Sequence, residues 1–202
     1  MASTSDGRAE VAHNTMKILA FADIHSRERS IRTIQEMAAR HKPDVIVVAG
    51  DITSYGSREE VKRVLDSLPG RVLAIPGNLD LPHTAKAIVE SHAEGLLATA
   101  VVIDEVIFAG SQQGLDACDV LVVHEPPYGT LDDVGGGRHI GNRAVNQAIE
   151  ALKPRVVLCG HVHESPGVVR MGETLVVNCT MGGGGKGALV EIQGKEAQAM
   201  LL

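Results

Sequence analysis

Short apolar runs alternate with amphipathic stretches through the first half of the chain, which predicts strand, helix, strand, helix. Lys17–Ala22, Asp44–Ala49 and Arg71–Ile75 carry apolar residues on both faces, as buried parallel strands do. Between them, Ile31, Ile34 and Met37 share one helical face, and Val61, Val64, Leu65 and Leu68 repeat at i, i+3, i+4, i+7. Ser57 and Glu60 have the spacing of a capping box for the second helix. A third helix is predicted from about Pro82 to Glu94, stopped by Gly95, with Ala85, Ile88 and Val89 inward and His92 on its packed side. A fourth, opened by Asn142, buries Val145, Ala148, Ile149 and Leu152.

The second half is richer in strands. Ala100–Ile103 with Val106–Ala109, Val168–Met171 with Thr174–Val177, and Ala188–Ile192 with Glu196–Leu201 read as hairpins. Asp119–Val123 and Arg155–Cys159 are two more buried strands. The combination predicts an α/β fold of two packed sheets with helices outside, in one domain over residues 16–202. Residues 1–15 are small, polar and aperiodic, so a disordered arm is expected there. With four aromatic residues and no Trp, the core must be built from Val, Ile, Leu and Ala.

Every strand of this inner set ends in polar residues of a particular kind. The first runs into Asp23-Ile24-His25, the second into Gly50-Asp51, the third through Gly77-Asn78. Asp119–Val123 ends in His124, and Arg155–Cys159 in Gly160-His161-Val162-His163. Open α/β sheets place ligands beyond the carboxyl ends of their strands, so these five clusters converge on one crevice. D-x-H and H-x-H spacing directs both side chains of each pair to one side of an extended segment. Without a cation Asp23 and Asp51 would repel each other and the imidazoles would lack partners. The donor set is mixed N/O without sulfur, which suits manganese, iron, zinc, nickel or cobalt. Seven donors exceed what one catalytic zinc takes from protein, and two ions sharing a carboxylate fit the number. Such a centre stays positively charged and suits a phosphate ester.

At these residues the chain resembles the calcineurin-like metallophosphoesterases. Their ordered pattern D-x-H, G-D, G-N, H, G-H-x-H is matched by Asp23/His25, Gly50/Asp51, Gly77/Asn78, His124 and Gly160/His161/His163, over residues 16 to about 180. His124-Glu125-Pro126-Pro127-Tyr128-Gly129 and Gly160–Glu164 are similar to the small, compact prokaryotic-type branch. The resemblance implies a four-layer αββα sandwich and two divalent ions. Asp23, His25, Asp51 and His163 would hold one, and Asp51, Asn78, His124 and His161 the other, with Asp51 bridging. A metal-bridging hydroxide would then attack phosphorus in line. Many members carry a His after the G-N asparagine as a proton donor to the leaving group, but here that residue is Leu79. His83 and His139 are the candidate substitutes. Their loss would matter for alkoxide leaving groups, where a general acid contributes about 10²–10⁴-fold.

These residues also admit plainer roles. Asp23, Asp51 and Asn78 could each cap a turn, Asp80 could orient a neighbour or cap the following helix, and Arg138 and His139 could belong to a solvated loop. The run Gly182–Gly185 before Lys186 could cradle an anion, although it lacks the G-x-x-x-x-G-K-[ST] pattern. The expected activity is hydrolysis of a small phosphate ester, with diesters favoured over monoesters. A metal-binding scaffold that recruits a protein is the alternative of another class. A net charge of −6 without a basic run disfavours stable nucleic-acid binding. No apolar run reaches membrane-spanning length, and no secretory leader is visible. Cys118, Cys159 and Cys179 lack metal or disulfide spacing and predict a reducing cytoplasm. The pattern leaves oligomeric state open.

Overall fold

The structure, a computed structural model, describes residues 15–97, 99–110 and 116–202. The predicted arm therefore lies outside the described residues except for Thr15. The first half folds as β1 (Met16–Phe21), α1 (Glu28–His41), β2 (Val45–Ala49), α2 (Arg58–Asp66), β3 (Val72–Ile75), α3 (Thr84–Glu90) and β4 (Glu94–Gly95). There follow β5 (Val101–Ile103), β6 (Val106–Gly110), β7 (Val120–Val122), α4 (Arg143–Leu152) and β8 (Val156–Cys159). The chain closes with β9 (Gly167–Met171), β10 (Thr174–Asn178), a 3₁₀ turn at Gly182–Gly184, β11 (Ala188–Gln193) and β12 (Glu196–Leu201).

Two six-stranded mixed sheets result, ordered β12-β11-β1-β2-β3-β4 and β5-β6-β7-β8-β10-β9. In β1, Ile18 and Ala20 enter the core between the sheets, while Leu19 and Phe21 face α1 and α2. Strands buried on both faces have no polar side to show, which explains their continuous apolar runs. α4 covers the far face of the second sheet through Val145 and Ile149, with Ala148 and Leu152 partly buried beside them. The layers are therefore helix, sheet, sheet, helix. The three predicted hairpins form. The β5–β6 turn manages without glycine because Asp104 (φ 45°) and Glu105 (φ 67°) both take the left-handed conformation, as a type I′ turn requires.

The third helix departs from expectation. It spans only Thr84–Glu90, and its buried stripe is Thr84, Ala87 and Ile88, whereas Val89 is 74% exposed and Ala85 is exposed too. Ser91 ends it by leaving helical geometry and donating its hydroxyl to the Ile88 carbonyl. The chain then turns so that Glu94–Gly95 pairs with β3, and Gly95 is a strand residue instead of a helix cap. His92 consequently lies beyond the helix and exposed, its backbone N–H donating to Asp66 at 2.9 Å.

Parallel pairing brings the ends of β1, β2 and β3 to one edge of the first sheet, and those of β7, β8 and β10 to one edge of the second. The two edges are stitched together. Ala22 N–H donates to the Cys179 carbonyl at 3.1 Å, and Met181 N–H to the Ala22 carbonyl at 2.9 Å.

Candidate metal centre

Each strand end turns sharply, and the turns aim side chains at a common point. Asp23 (φ 61°), His25 (φ 52°), Asp51 (φ 50°) and His161 (φ 70°) all occupy the left-handed region, uncommon for residues with a Cβ. Strain of this kind persists only where the surroundings fix it, and it gathers at functional sites. Here backbone bonds fix it. Asp23 N–H donates to Gly50 at 3.1 Å, His25 N–H to Asp51 at 3.0 Å, and Gly160 N–H to His124 at 2.9 Å.

The floor of the site is buried. Asp23 is 0% exposed and Asp51 3%, with His124 beside them at 8%. Asp23 Oδ1 lies 3.4 Å from His163 Nε2, and Asp51 sits between two imidazoles, Oδ2 at 4.0 Å from His25 Nε2 and Oδ1 at 3.5 Å from His124 Nε2. Donor atoms of Asp23, His25 and His163 form one compact group, and those of Asp23, Asp51 and His124 a second. Asn78 Oδ1 stands 2.8 Å from both His124 Nε2 and His161 Nδ1 at the solvent-facing side. The structure thus brings together all seven residues expected from the sequence.

The protonation pattern shows why a cation fits. The Ala49 carbonyl, 2.9 Å from His124 Nδ1, can only accept, so Nδ1 donates to it and Nε2, the nitrogen with the lone pair when the ring is neutral, is the one turned to Asn78 and Asp51. Oxygen lone pairs meeting a nitrogen lone pair are relieved by a cation, and an imidazole anchored through its other nitrogen is the usual metal-ligand arrangement. Burial, reinforced by the charges of Asp23 and Asp80, pushes the Asp51 acid above its ordinary range. Burial also acts to raise Asp23, but hydrogen bonds from His163 and Thr180 outweigh it and hold that acid low. His163 is raised in turn by its bond to Asp23, while burial and the neighbouring His124 lower His161.

Supporting residues surround these seven, Ser54 and the Leu79 backbone without a signal in the sequence, Asp80 in the neighbour-orienting role that is one of its two readings. Ser54 Oγ lies 2.9 Å from His25 Nδ1 and orients that ring. Leu79, silent as a side chain, donates its backbone N–H to Asp51 Oδ1 at 2.8 Å. Asp80 is the organiser of the first sheet's edge, accepting from Ile52 N–H at 3.0 Å, Thr53 N–H at 2.9 Å, Thr53 Oγ1 at 3.0 Å and Gly77 N–H at 2.9 Å. It ties the β2 and β3 turns together and caps no helix. Asp80→Ala should lose about 2–4 kcal/mol in denaturant unfolding, the cost of stranding several partly buried donors. An unchanged midpoint would mean that water replaces the carboxylate fully.

The two candidate proton donors lie outside the cluster. His83 precedes α3 with Nε2 3.1 Å from the Gly56 carbonyl. His139 Nδ1 lies 2.6 Å from Asp132 Oδ1, and Asp132, only 1% exposed, also accepts from Gly129 and Gly141 N–H at 2.9 Å each. This loop is joined to the centre through Asn142, whose amide donates to Glu125, the neighbour of His124, at 2.6 Å.

The family model of calcineurin-like phosphoesterases matches residues 16–165, well over half of the chain. The chain belongs to the calcineurin-like phosphoesterases. The chemistry of that family is metal-dependent phosphoester hydrolysis, and the donor set described above is of the kind it needs. A relative described as an uncharacterized protein, MJ1162 of Methanocaldococcus jannaschii, is 29% identical over 198 residues, covering 81% of this chain and 87% of its own. TT1561 of Thermus thermophilus shares the fold with a TM-score of 0.67 at 14% identity, covering 93% of this chain and 99% of its own. A structure described as a novel archaeal phosphodiesterase has a TM-score of 0.56 at 19% identity, covering 93% of this chain and all (100%) of its own. Among the described residues of this calcineurin-like phosphoesterase, no helix is long and apolar enough to cross a membrane.

Proposed function

We propose that the protein hydrolyses small phosphate diesters through a dinuclear metal centre, with manganese as a competent ion. The observation that carries this reading is the buried Asp23–Asp51 pair facing four imidazoles, with the Asn78 amide oxygen 2.8 Å from two of them. Asp23, His25, Asp51 and His163 would hold one ion, and Asp51, Asn78, His124 and His161 the other. Bound there, the pair would supply Lewis acidity toward the phosphoryl oxygens and would activate a water as nucleophile. The chain's own part is geometric: Leu79 N–H and Ala49 C=O hold Asp51 and His124 in place, and Ser54 holds His25.

Leu79 supports the diester preference, because no imidazole stands there to protonate a poor leaving group. The overall likeness to an archaeal phosphodiesterase is consistent with it. Three buried, unpaired cysteines support a cytoplasmic setting, and burial pushes the Cys118 thiol up to about 11, away from reactivity. An assay of bis(4-nitrophenyl) phosphate and 4-nitrophenyl phosphate with manganese, with and without chelator, tests the proposal. Chelator-sensitive turnover should be faster on the diester. A faster monoester would identify a phosphomonoesterase, and no turnover on either would favour a scaffold.

His139 is the better placed of the two proton donors. Asp132 fixes its Nδ1–H and leaves Nε2 to the outside, whereas the Nε2–H of His83 is engaged by Gly56. His139→Ala should lower kcat/KM for an alkyl diester by about a hundredfold, within the range for general acids, and spare bis(4-nitrophenyl) phosphate. His83→Ala should spare both. Full alkyl activity in His139→Ala would remove the loop from the chemistry.

A further inference from the structure

Beside the centre, between the start of α1 and the turn after β10, lies a cleft of about 160 Å³ whose lining includes Arg27, Arg29, Ser30, Thr33, Gly185 and Lys186. Resting on the hydrolase reading above, we propose that this cleft binds a second anionic group, phosphate or carboxylate, carried by the same phosphate-ester substrate.

Charge is the first argument. The chain has 19 basic against 25 acidic residues, and Arg58, Arg63, Arg71 and Arg155 each pair with an acid, Glu90, Glu28, Glu94 and Asp119 in turn. Arg27, Arg29 and Lys186 have no acidic partner among the described residues, and no carboxylate lines the cleft they share. In an acidic protein, three uncompensated cations in one concavity favour an anion from outside.

Size is the second. Pockets for whole drug-sized ligands run to roughly 300–1,000 Å³, so this one suits a single small group with residual water. Two guanidinium groups match the paired oxygens of phosphate or carboxylate, and Ser30 and Thr33 add hydroxyl donors.

Position is the third. Gly182 abuts the His163 imidazole, where even a methyl carbon would lie 2.2 Å from Cγ. Arg27 follows His25 by two residues, and its charge acts on His163. The cleft therefore adjoins the Asp23–His25–His163 side of the centre, within reach of a substituent on a phosphate held there. The glycine run is not itself the cradle. Gly182 N–H is taken by Thr180 Oγ1 at 2.9 Å and Gly185 N–H by the Gly182 carbonyl at 3.0 Å, so the side chains do the recognising.

The test compares 4-nitrophenyl phenyl phosphate with 4-nitrophenyl 3-carboxyphenyl phosphate, which differ by one carboxylate. The manganese-loaded enzyme should prefer the carboxylate by roughly tenfold in kcat/KM, and added salt should erode that preference. In Arg29→Gln/Lys186→Gln the ratio should fall near one. A wild-type ratio of one, or a preference that survives in the double variant, overturns the proposal. Turnover of neither diester would instead count against the hydrolase reading, so a binding measurement stands beside the assay. Inorganic phosphate titrated into the metal-free full chain should shift the backbone amide resonances of residues 27–30 and 183–186, and about tenfold more weakly in the double variant. Unmoved resonances, or shifts indifferent to the substitutions, overturn the anion site whatever the enzyme hydrolyses.

Discussion

Asp51→Asn is expected to lower manganese-dependent diester turnover by at least about a thousandfold, the rate equivalent of the several kcal/mol that metal ions contribute to such transition states. Asp51 turns one oxygen toward His25 and the other toward His124, so it faces both halves of the centre. Asparagine keeps the shape, and its oxygen can still accept from Leu79 N–H. What it loses is a charge and an oxygen donor. Stability should move the other way or stay level, because burial and the Asp23 charge already disfavour the ionised form of Asp51. The expected signature is thus a metal-free variant that melts no lower than the parent yet fails to retain its ions and turns over poorly. Activity within tenfold of the parent would show that Asp51 does not bridge.

Gly50→Ala should do the reverse and strike the scaffold. Gly50 has φ 92°, and an added Cβ would lie 2.5 Å from His124 Nδ1 and 2.9 Å from the Gly77 Cα. Neither can retreat freely: His124 is pinned to the Ala49 carbonyl, and Gly77 belongs to the backbone tied down by Asp80. Backbone strain and overpacking together cost about 3–5 kcal/mol, or roughly 6–20 °C of melting temperature for a chain of this size. Gly129→Ala is the control, since φ is 82° there but nothing lies within 4 Å of the added carbon. Its loss should be near the cost of backbone strain alone, about 1–3 kcal/mol. Equal melting of the two variants would mean that the contact with His124 is slack.

Much of this was legible in the chain itself. The strands read clearly because residues such as Ile18 to Phe21 must be apolar on both faces, and each of them ends abruptly in Asp, Asn, Gly or His. The donor set followed from those ends. The supporting contacts did not, because they join backbone groups to side chains far apart in sequence. Asp80 meets Thr53 N–H across 27 positions and His124 meets Ala49 across 75, and no local pattern encodes either meeting. The α3 helix was misplaced for another reason. Ala85, Ile88 and Val89 satisfy helical spacing as well as Thr84, Ala87 and Ile88 do, and only packing against α2 chooses between the stripes.

The dinuclear claim is tested most directly by anomalous diffraction at the manganese edge, on crystals of the metal-loaded protein. Two peaks roughly 3.5–4 Å apart are expected, one against Asp23, His25 and His163, the other against Asn78, His124 and His161, with Asp51 between them. One peak alone, or peaks elsewhere with these side chains turned away, would contradict the account.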